Sequence, residues 1–323
     1  LYGMSLKDYL GSIGVLKEKI VTSKDTGWVA IEKMVNAMGH TVGCNFSDAE
    51  KPETLDQLFD WFTKTNSPAI KTYIKDVNEI SAIGHRIVQG ADLFKESVLV
   101  DDEVIAKIES ISDLAPLHNP AHVLAIRACR KVFGTEIPET VVFDTSFHST
   151  MPPKAFMFGV PYEYYEKYRI RKYGFHGTSH LYVSRRCAEL VGKPVEDLKI
   201  VTCHLGQGAS ICAVDGGKSI DTSMGLSPLG GIAMVTRSGD LDPSVVTEIM
   251  ERENLTAKEV NSLLNKKSGL YGMTGLNPDF REIELASYEE DKPKAKVAIE
   301  MFTKIIAQFV AKYAVSLKGI DAI

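Results

Sequence analysis

The chain has 323 residues, of which 44% are hydrophobic and 24% are charged, so it has the composition of a globular protein and the length of two domains. Its net charge of −5 argues against nucleic-acid binding, which needs clustered positive charge. No stretch has the roughly 18 consecutive apolar residues of a membrane-spanning helix, and the first residues lack the apolar region of a signal peptide. We therefore expect a cytoplasmic protein.

The cysteines and the two ends of the sequence set further limits. The five cysteines are an odd number without CxxC spacing, so we expect buried free thiols rather than disulfides or a zinc site. The sequence opens on Leu rather than Met and closes on LKGIDAI, where an apolar strand only begins. We therefore expect a fragment that lacks residues at both ends.

The segment before residue 90 contains two predicted helices and one predicted strand. Apolar residues recur at helical spacing over residues 26–38, and a second amphipathic helix is predicted after Pro52. The segment EISAIGHRIVQG then has the pattern of a strand, in which isoleucine and valine flank Arg86. Such an arginine either pairs with a buried carboxylate or binds an anionic ligand through two hydrogen bonds, and the local sequence leaves both possibilities open.

A helix, a rigid loop and a second helix follow. Asp101 and Asp102 are predicted to open the first helix, because acidic residues stabilise helix amino termini. In the loop DLAPLHNPAHV, His118 lies between two prolines, where it either contacts a ligand or bonds to the local backbone. Asn119 is predicted to cap the helix of residues 120–133, which begins with proline, the residue best tolerated at that position.

The most informative strand is in the stretch VVFDTSFHSTMPP. Its three apolar residues run directly into Asp144, which is the pattern of a buried strand that carries a carboxylate at its tip. Ligands collect at the carboxyl ends of strands in open α/β sheets, so Asp144 is a candidate for a metal or a reacting group. The alternative is that Asp144 only stabilises a turn together with Thr145 and Ser146.

The stretch GFHGTSH presents one imidazole on an unusual backbone path. Glycines before and after His176 allow that path, and Thr178 or Ser179 is predicted to cap a helix that begins near His180. A zinc site formed by His176 and His180 is disfavoured, because the glycine turn separates them from a common helix face.

Residues 198–222 predict three strands, IVTCH, ASICAV and KSID, joined by the turns LGQG and DGG. A GxG turn between antiparallel strands is not a dinucleotide-binding fingerprint, which requires a helix next. Its backbone N–H groups nevertheless suit a phosphate, and we weigh that interpretation equally against a plain hairpin.

The remaining chain predicts a long loop followed by helices. The loop DTSMGLSPLGGIAMVTRSGDLDP is rich in small polar residues and carries Arg237, a second candidate for anion binding. Asp242 and Pro243 open the next helix, and a capping box opens the one after it. A further loop, GMTGLNPDFREI, is expected to offer its Asp-Phe-Arg set to an adenine and a ribose, and a long helix over residues 292–318 closes the chain.

Together these stretches resemble the acetate kinase family. The resemblance covers about residues 80–280, and its motifs occur in the order of the family. They are GHRIV, LAPLHNP, VVFDTSFHSTMP, RKYGFHGTSH, TCHLGQGAS, DTSMGLSPL, TRSGDLDP and NKKSG.

The resemblance implies an α/β fold of the actin-like, ribonuclease H-like type, with two domains and a cleft between them. Residues 1–146 would form the acyl-substrate domain, and residues 147–323 the nucleotide-binding domain. The implied reaction is reversible phosphoryl transfer from ATP to acetate, which gives acetyl phosphate and ADP and depends on Mg²⁺ or Mn²⁺. A homodimer is also implied.

The resemblance also assigns roles to individual residues. Arg86 and Arg237 would bind the carboxylate and the transferring phosphoryl group, and His176 would bond the phosphoryl oxygens in the transition state. Asp144 would orient the acetate and help to hold a hydrated metal ion, whose second protein ligand lies beyond this sequence.

Further residues would line the substrate sites. His118 and His204 would border the reacting groups. The acetate methyl group would contact Val88, Leu117, Phe175 and Pro228. The ATP phosphates would contact His204, Leu205, Gly206, Gln207 and Gly208. The nucleoside would contact Asp279, Phe280 and Arg281.

The sequence departs from the family pattern at several points, which keeps alternatives open. The amino-terminal phosphate loop and the carboxyl-terminal glutamate of the family are missing, and Gln207 and Gln89 replace the expected Asn and His. The alternatives are a propionate or butyrate kinase, a metal-dependent phosphate hydrolase that acts without ADP, and a nucleotide-binding remnant without catalytic activity.

Overall fold

A computed structural model describes residues 81–116 and 118–323 of the chain. Both helices that are predicted before residue 80, and Leu117, lie outside these residues. The chain divides into two compact units. Residues 81–85 and 120–140 belong to the first, and residues 86–119 and 141–323 form the second. All described site candidates belong to the second unit, and the boundary near residue 146 stays a prediction.

The structure is of the α/β type, as predicted. The strands of the described residues are β1 (Ile83–Ile87), β2 (Val98–Leu99), β3 (Glu139–Phe143), β4 (Lys199–Leu205), β5 (Ala209–Asp215) and β6 (Lys218–Thr222). The helices are α1 (Asp102–Ser110), α2 (Asn119–Phe133), α3 (Pro153–Phe156), α4 (Glu163–Tyr168), α5 (Gly177–Val191), α6 (Pro243–Glu253), α7 (Ala257–Lys266), α8 (Gly269–Thr274), α9 (Phe280–Ala286) and α10 (Pro293–Leu317).

The first sheet has the order β1-β3-β2 and brings two site candidates together. The backbone N–H of Asp144, the residue after β3, donates to the carbonyl of Ile87 at the end of β1 over 2.9 Å. Arg86 lies one position before Ile87. The pairing of β1 with β3 therefore places the guanidinium of Arg86 beside the carboxylate of Asp144. The position of Asp144 at the end of a strand is as predicted.

The second sheet is the antiparallel meander β4-β5-β6, which confirms the three predicted strands. The hairpin from β5 to β6 closes through Gly216 and Gly217, whose φ values of 56° and 76° lie in the region that glycine adopts at low cost. Where the sequence predicts that a strand begins, the last residues form a single parallel bridge to β4, in which the N–H of Val201 donates to the carbonyl of Ala322 over 3.0 Å.

Several helix ends confirm the predicted caps. The Asp101 side chain accepts from Val104, and Asp242 caps the helix that begins with Pro243. Thr256 and Glu259 form the predicted capping box. These signals are reliable because each satisfies free backbone N–H groups within one helical turn.

Two predicted helix starts are wrong. Helix α5 begins at Gly177 rather than near His180, and neither Thr178 nor Ser179 caps it. Buried Asn119 lies inside α2, where its Oδ1 accepts no hydrogen bond and its amide donates instead to the carbonyl of Gln89 over 3.0 Å. Tertiary contacts take precedence over local capping at both places.

The stretch of Asp279, Phe280 and Arg281, which is predicted as a loop, instead forms the start of a helix. Asp279 is the N-cap of α9 and accepts from the N–H groups of Arg281 and Glu282, while Phe280 and Arg281 form the first turn of the helix. The Asp-Phe-Arg set therefore has a fixed backbone rather than a loop conformation.

The apolar core of the second unit lies between the meander and α10. Tyr313 and Leu317 of α10 pack with Val201 of β4 and Ile211 of β5 in one cluster, which also includes Phe175. In the part of the chain that is described, no helix has the length and apolar character that crossing a membrane requires. Among the described residues, the free thiols of Cys129 and Cys212 are buried, whereas those of Cys187 and Cys203 are only partly buried. The prediction of buried thiols therefore holds for two of these four, and Cys44 lies outside the described residues.

Candidate active site

The first component of the site is an ion pair between Arg86 and Asp144. The sequence left open whether Arg86 pairs with a carboxylate or binds a ligand. Arg86 donates from Nε to Oδ1 of Asp144 over 2.8 Å and from Nη2 to Oδ2 over 2.7 Å. The Asp144 side chain is 4% exposed, whereas that of Arg86 is 65% exposed. The two-point contact fixes both planar groups and leaves much of the guanidinium accessible, so Arg86 can bind an anion in addition to its carboxylate partner.

The amino end of α5 is attached to the same aspartate. The N–H of Gly177 donates to the carbonyl of Asp144 over 2.9 Å, and a Cβ at Gly177 would lie only 2.3 Å from that oxygen. Only glycine permits this approach, which explains one glycine of the GFHGTSH stretch. The preceding His176 is left-handed, with φ of 59°. The close approach therefore sets the position from which the imidazole of His176 projects.

The ring of His176 is held on two sides. Its Nδ1 forms a 2.8 Å hydrogen bond with Oγ of Ser210 on β5. The ring of His204 on β4 stacks against it, with the ring centroids 4.0 Å apart, and Nδ1 of His204 bonds to Oγ of Ser179 over 2.9 Å. The side chains of the second sheet and of α5 thus fix the orientation of both rings.

Arg237 lies beside the LGQG turn and His176. A Cβ at Gly208 would lie 3.2 Å from Nη1 of Arg237 and 3.4 Å from Nε2 of His176, so the guanidinium, the imidazole and the backbone of the turn pack closely together. Nη1 of Arg237 also donates to the carbonyl of Pro228 over 3.4 Å. The absence of a side chain at Gly208 permits this approach, which brings a cation and an imidazole nitrogen together where both can bind one anionic oxygen.

The electrostatics of this region keep its histidines neutral. Burial lowers the pKa of His176 to about 3, and His204, Arg86 and Arg237 act in the same direction. Burial also lowers the pKa of His204 and of His118, and the positive charge of Arg237 adds to the effect at His118. His176 is therefore a neutral hydrogen-bonding group near pH 7, and the arginines carry the positive charge of the site.

We expect the buried histidines to make stability dependent on pH. Burial lowers the pKa of His148 to about 4, against about 6.5 in the unfolded chain. The unfolded chain then binds more protons below pH 6.5 or so, and the free energy of unfolding falls between about pH 6.5 and 4, by at most about 1.4 kcal/mol per pH unit for each such histidine. Urea unfolding of His148→Gln should show a shallower pH slope than the parent, whereas an equal slope would contradict this account.

A pocket of about 340 Å³ adjoins the turn. Seven of its lining residues come from the turn, α9 and α10, and the eighth from the long loop: Leu205, Gly206, Gln207, Val235, Asp279, Phe280, Arg281 and Phe302. Gln207 is joined to the segment before α9 by a 3.2 Å hydrogen bond to the carbonyl of Pro278. The structure thus brings the predicted phosphate turn and the predicted nucleoside contacts to one cavity.

The residues predicted for the acetate methyl group are partly placed together. Phe175 is 1% exposed and belongs to the same apolar cluster that half-buried Val88 contacts. Pro228 is half-buried and is tied to Arg237 through its carbonyl. Leu117 lies outside the described residues. At 1% exposure, Phe175 has little surface of its own to offer a ligand.

The predicted metal contact fits only an indirect role for Asp144. Within residues 81–116 and 118–323, no three His, Cys, Asp or Glu side chains group as a metal centre requires. Both oxygens of Asp144 already accept from Arg86. Mg²⁺ keeps several of its waters in proteins, so a contact of Asp144 through water is compatible with this geometry.

Side chains that the sequence alone did not identify form hydrogen bonds to the site histidines. Ser210 and Ser179 bond the two site histidines, and buried His180 bonds Ser210 from its other side over 2.8 Å. The available signal was a serine in the otherwise apolar strand ASICAV, because a buried hydroxyl requires a partner. Which partner it has depends on the register of β4 and β5 and on the position of α5.

Comparisons with known proteins agree with this arrangement. The sequence model described as the acetokinase family matches residues 20–323. An acetate kinase of Caldanaerobacter subterraneus subsp. tengcongensis is 57% identical over 250 residues, which are 77% of this chain and 62% of that protein. An acetate kinase of Bacillus cereus is 51% identical over 280 residues, which are 85% of this chain and 70% of that protein.

Solved structures show the same similarity. The crystal structure of Porphyromonas gingivalis acetate kinase matches with a TM-score of 0.76 and 41% identity over 84% of this chain and 66% of that one. A propionate kinase from Francisella tularensis subsp. tularensis matches with a TM-score of 0.74 and 42% identity, over 84% of this chain and 67% of that one. The chain thus spans about two thirds of the length of the proteins that it matches.

Proposed function

Because the chain belongs to the acetokinase family, we propose that its protein catalyses the reversible transfer of a phosphoryl group from ATP to acetate, which gives acetyl phosphate and ADP. The observation that carries the proposal is the close approach of Arg237 and His176 at Gly208. Nη1 of Arg237 and Nε2 of His176 both lie against the backbone of the LGQG turn, and the same turn lines the pocket of about 340 Å³. Phosphoryl transfer needs such positioning and positive charge more than covalent chemistry from the protein.

The two arginines of the site bind different substrate groups. The accessible guanidinium of Arg86 binds the acetate carboxylate, and Arg237 binds the transferring phosphoryl group, whose equatorial oxygens gain negative charge in the transition state. Neutral His176 donates a hydrogen bond to the same oxygens. His118 and His204 border the reacting groups, and His204 with the LGQG turn contacts the ATP phosphates.

Asp144 has two roles in this proposal. Its two hydrogen bonds hold Arg86 in one orientation, and through Arg86 it orients the acetate. It also contacts the hydration shell of Mg²⁺ or Mn²⁺ through water. The metal ion, when bound with ATP, neutralises charge on the phosphates.

A second candidate function is a propionate or butyrate kinase. The similarity to the Francisella propionate kinase, at 42% identity, is as high as that to the Porphyromonas acetate kinase at 41%. The apolar residues proposed near the methyl group are Val88, Leu117 and Pro228, with Phe175 in the buried cluster against which Val88 packs. One methylene group changes discrimination by only about 1–3 kcal/mol, so kcat/KM for acetate, propionate and butyrate decides between the candidates.

We assign the nucleoside to the pocket beside the turn. Phe280 offers an aromatic face, and Arg281 is 86% exposed at its side chain and paired with Asp279 over 3.2 Å. An aromatic ring and a guanidinium suit stacking on adenine and bonding to ribose.

Replacing Phe280 with alanine should raise KM for ATP roughly tenfold, because the loss of one base-stacking ring costs about 1–3 kcal/mol. The KM for acetate should stay within about twofold, since Phe280 lies in the proposed nucleoside pocket. Steady-state kinetics with each substrate varied in turn provides the measurement. Tyr288→Ala is the matched control, because Tyr288 lies just beyond α9 and is 78% exposed. Equal effects of both variants on KM for ATP would remove Phe280 from the nucleotide site.

The reaction itself is tested by trapping its product. Acetyl phosphate reacts with hydroxylamine to give a hydroxamate, so Mg-ATP and acetate should yield hydroxamate and ADP in equal amounts. A phosphate hydrolase would instead release inorganic phosphate from acetyl phosphate without any need for ADP. Binding of ATP without either product would support a nucleotide-binding remnant.

The proposal extends to the organisation of the protein. We also propose a domain boundary near residue 146 and a homodimer, as the family resemblance implies. A cytoplasmic location suits the proposed activity, because ATP and acetate are dissolved metabolites. Sedimentation of the protein measures the number of subunits directly.

A further inference from the structure

A continuous chain of hydrogen bonds leads from the interior of the second sheet to His176. Oγ1 of Thr202 bonds Nδ1 of His180 over 2.7 Å, and Nε2 of His180 bonds Oγ of Ser210 over 2.8 Å. The same Oγ of Ser210 bonds Nδ1 of His176 over 2.8 Å. Thr202, His180 and Ser210 are all at most 2% exposed, so the chain is shielded from water.

The strand register and the start of α5 create this chain. Thr202 pairs with Cys212 and His204 with Ser210 across β4 and β5, so Thr202 and His204 lie two residues apart on one face of the sheet. His176 and His180 are four residues apart at the beginning of α5, which packs on that sheet. A slip of one residue in the register would turn these side chains to the opposite face.

The hydrogens of such a chain have two consistent arrangements. Each neutral imidazole carries one proton, and each hydroxyl donates once. In the first arrangement, Thr202 donates to His180, His180 to Ser210 and Ser210 to Nδ1 of His176, which leaves the proton of His176 on Nε2. In the second, every bond is reversed and Nε2 of His176 carries only a lone pair.

The outer end of the chain favours the first arrangement. Nε2 of His176 and Nη1 of Arg237 lie close together at Gly208, because a Cβ built there would be 3.4 and 3.2 Å from them. An anionic oxygen that binds in front of both groups accepts a hydrogen bond from Arg237. It accepts a second one from His176 only when Nε2 carries the proton, because a lone pair there would repel the oxygen.

The inner end of the chain favours the same arrangement. If His180 donated to Thr202, the Thr202 hydroxyl would need a further acceptor. Cys212 lies opposite Thr202 in the register of β4 and β5, and its sulfur would be a weak acceptor. Donation from Thr202 to the ring nitrogen of His180 forms the stronger bond.

We propose that His180 and Ser210 are positioning residues that hold His176 in its Nε2–H tautomer, so that this N–H faces the transferring phosphoryl group. The inference deepens the proposed kinase function and rests on it for the identity of the anion. Neutral His176 then acts as a fixed hydrogen-bond donor, and the orientation of its proton is set by residues that touch no substrate.

The tautomer can be observed in the unmodified protein. Long-range ¹H–¹⁵N spectra of protein labelled at histidine distinguish a ring nitrogen that carries a proton from one that does not, and a His176→Gln variant assigns the signals. We expect His176 and His180 to carry their protons on Nε2. His148 serves as an internal reference, because its Nε2 bonds the carbonyl of Phe175 over 2.9 Å and must donate. A proton on Nδ1 of His176 would overturn the proposal.

A pair of serine variants tests the consequence for catalysis. Ser210→Ala should lower kcat roughly tenfold or more, as loss of an outer hydrogen-bond partner does at other sites, with little change in KM. Ser219→Ala is the matched control, because Ser219 is equally buried and bonds Nδ1 of His148 over 2.8 Å. In the labelled spectra, Ser210→Ala should lose the single tautomer of His176, whereas Ser219→Ala should keep it.

Retention of wild-type kcat and of the Nε2–H tautomer in Ser210→Ala would also overturn the proposal. The spectra separate this failure from a failure of the proposed function. If no acetyl phosphate is formed, the kinase proposal fails, while the position of the His176 proton is still measured in the same protein.

Discussion

Replacing Arg237 with alanine should lower turnover by about 10³-fold or more, the scale on which the loss of a transition-state arginine acts in phosphoryl transfer. Its Nη1 approaches Gly208 together with Nε2 of His176. The side chain is partly buried, so its charge is less screened by water there than at the protein surface. The effect should fall mainly on kcat, because charge on the phosphoryl oxygens increases in the transition state.

Two further variants make this result specific. Arg237→Lys keeps the charge but loses the planar arrangement of donors, and it should restore only part of the activity. Arg171→Ala is the control, since Arg171 is also partly buried but packs on the ring of Phe156, with its Cζ 3.5 Å from the ring centroid. Near-normal kcat in Arg237→Ala would exclude Arg237 from the mechanism.

Replacing Asp144 with asparagine should leave the protein close to inactive, with turnover lowered by about 10³-fold or more. Asparagine keeps the shape of the side chain but replaces one acceptor oxygen with a donor group, so the two-point contact with Arg86 is lost. Arg86 would then no longer be held for the acetate, and the water-mediated metal contact would lose its negative charge. Both kcat and KM for acetate should change.

The matched control is Asp221→Asn. Asp221 is another buried aspartate of the second unit, and it bonds Nζ of Lys172 over 2.6 Å. Its loss should reduce the free energy of unfolding without a comparable loss of turnover in the folded protein. Full activity in Asp144→Asn, or an equal loss in both variants at matched folded fractions, would refute the assigned role.

Local signals predicted the elements of the fold because each acts within a few residues. The DGG turn requires positive φ at two positions, which fixed the hairpin of β5 and β6. Asp242 and Pro243 satisfy the first turn of their helix through their own chemistry. The strand that ends at Asp144 was readable because an apolar run stops at a charged residue.

Pairings between distant residues were not predictable in the same way. Arg86 and Asp144 are 58 positions apart, and only the pairing of β1 with β3 shows that they meet. The local sequence described each of them correctly but left the choice between a structural and a ligand-binding role open. The structure shows that Arg86 makes the structural pair while much of its side chain stays exposed.

The start of α5 was mispredicted for a related reason. Sequence rules place a helix start at a residue such as Thr178 or Ser179, whose side chain caps the first turn. Here the backbone of Gly177 bonds Asp144 instead, and Ser179 bonds His204. Hydrogen bonds between residues far apart in the sequence also form the hydrogen-bond chain from Thr202 to His176. No local sequence pattern reveals them.

The central claim is phosphoryl transfer from ATP to a short carboxylic acid, and hydroxylamine trapping tests it most directly. The assay should use this chain and a longer version joined to the parts of the Bacillus cereus acetate kinase that it does not match, with Mg-ATP and acetate, propionate or butyrate. We predict acyl hydroxamate from the longer version, in the greatest amount with acetate, at a rate that Arg237→Ala lowers by about 10³-fold or more. Absence of hydroxamate with all three acids, while ATP still binds, would contradict the account.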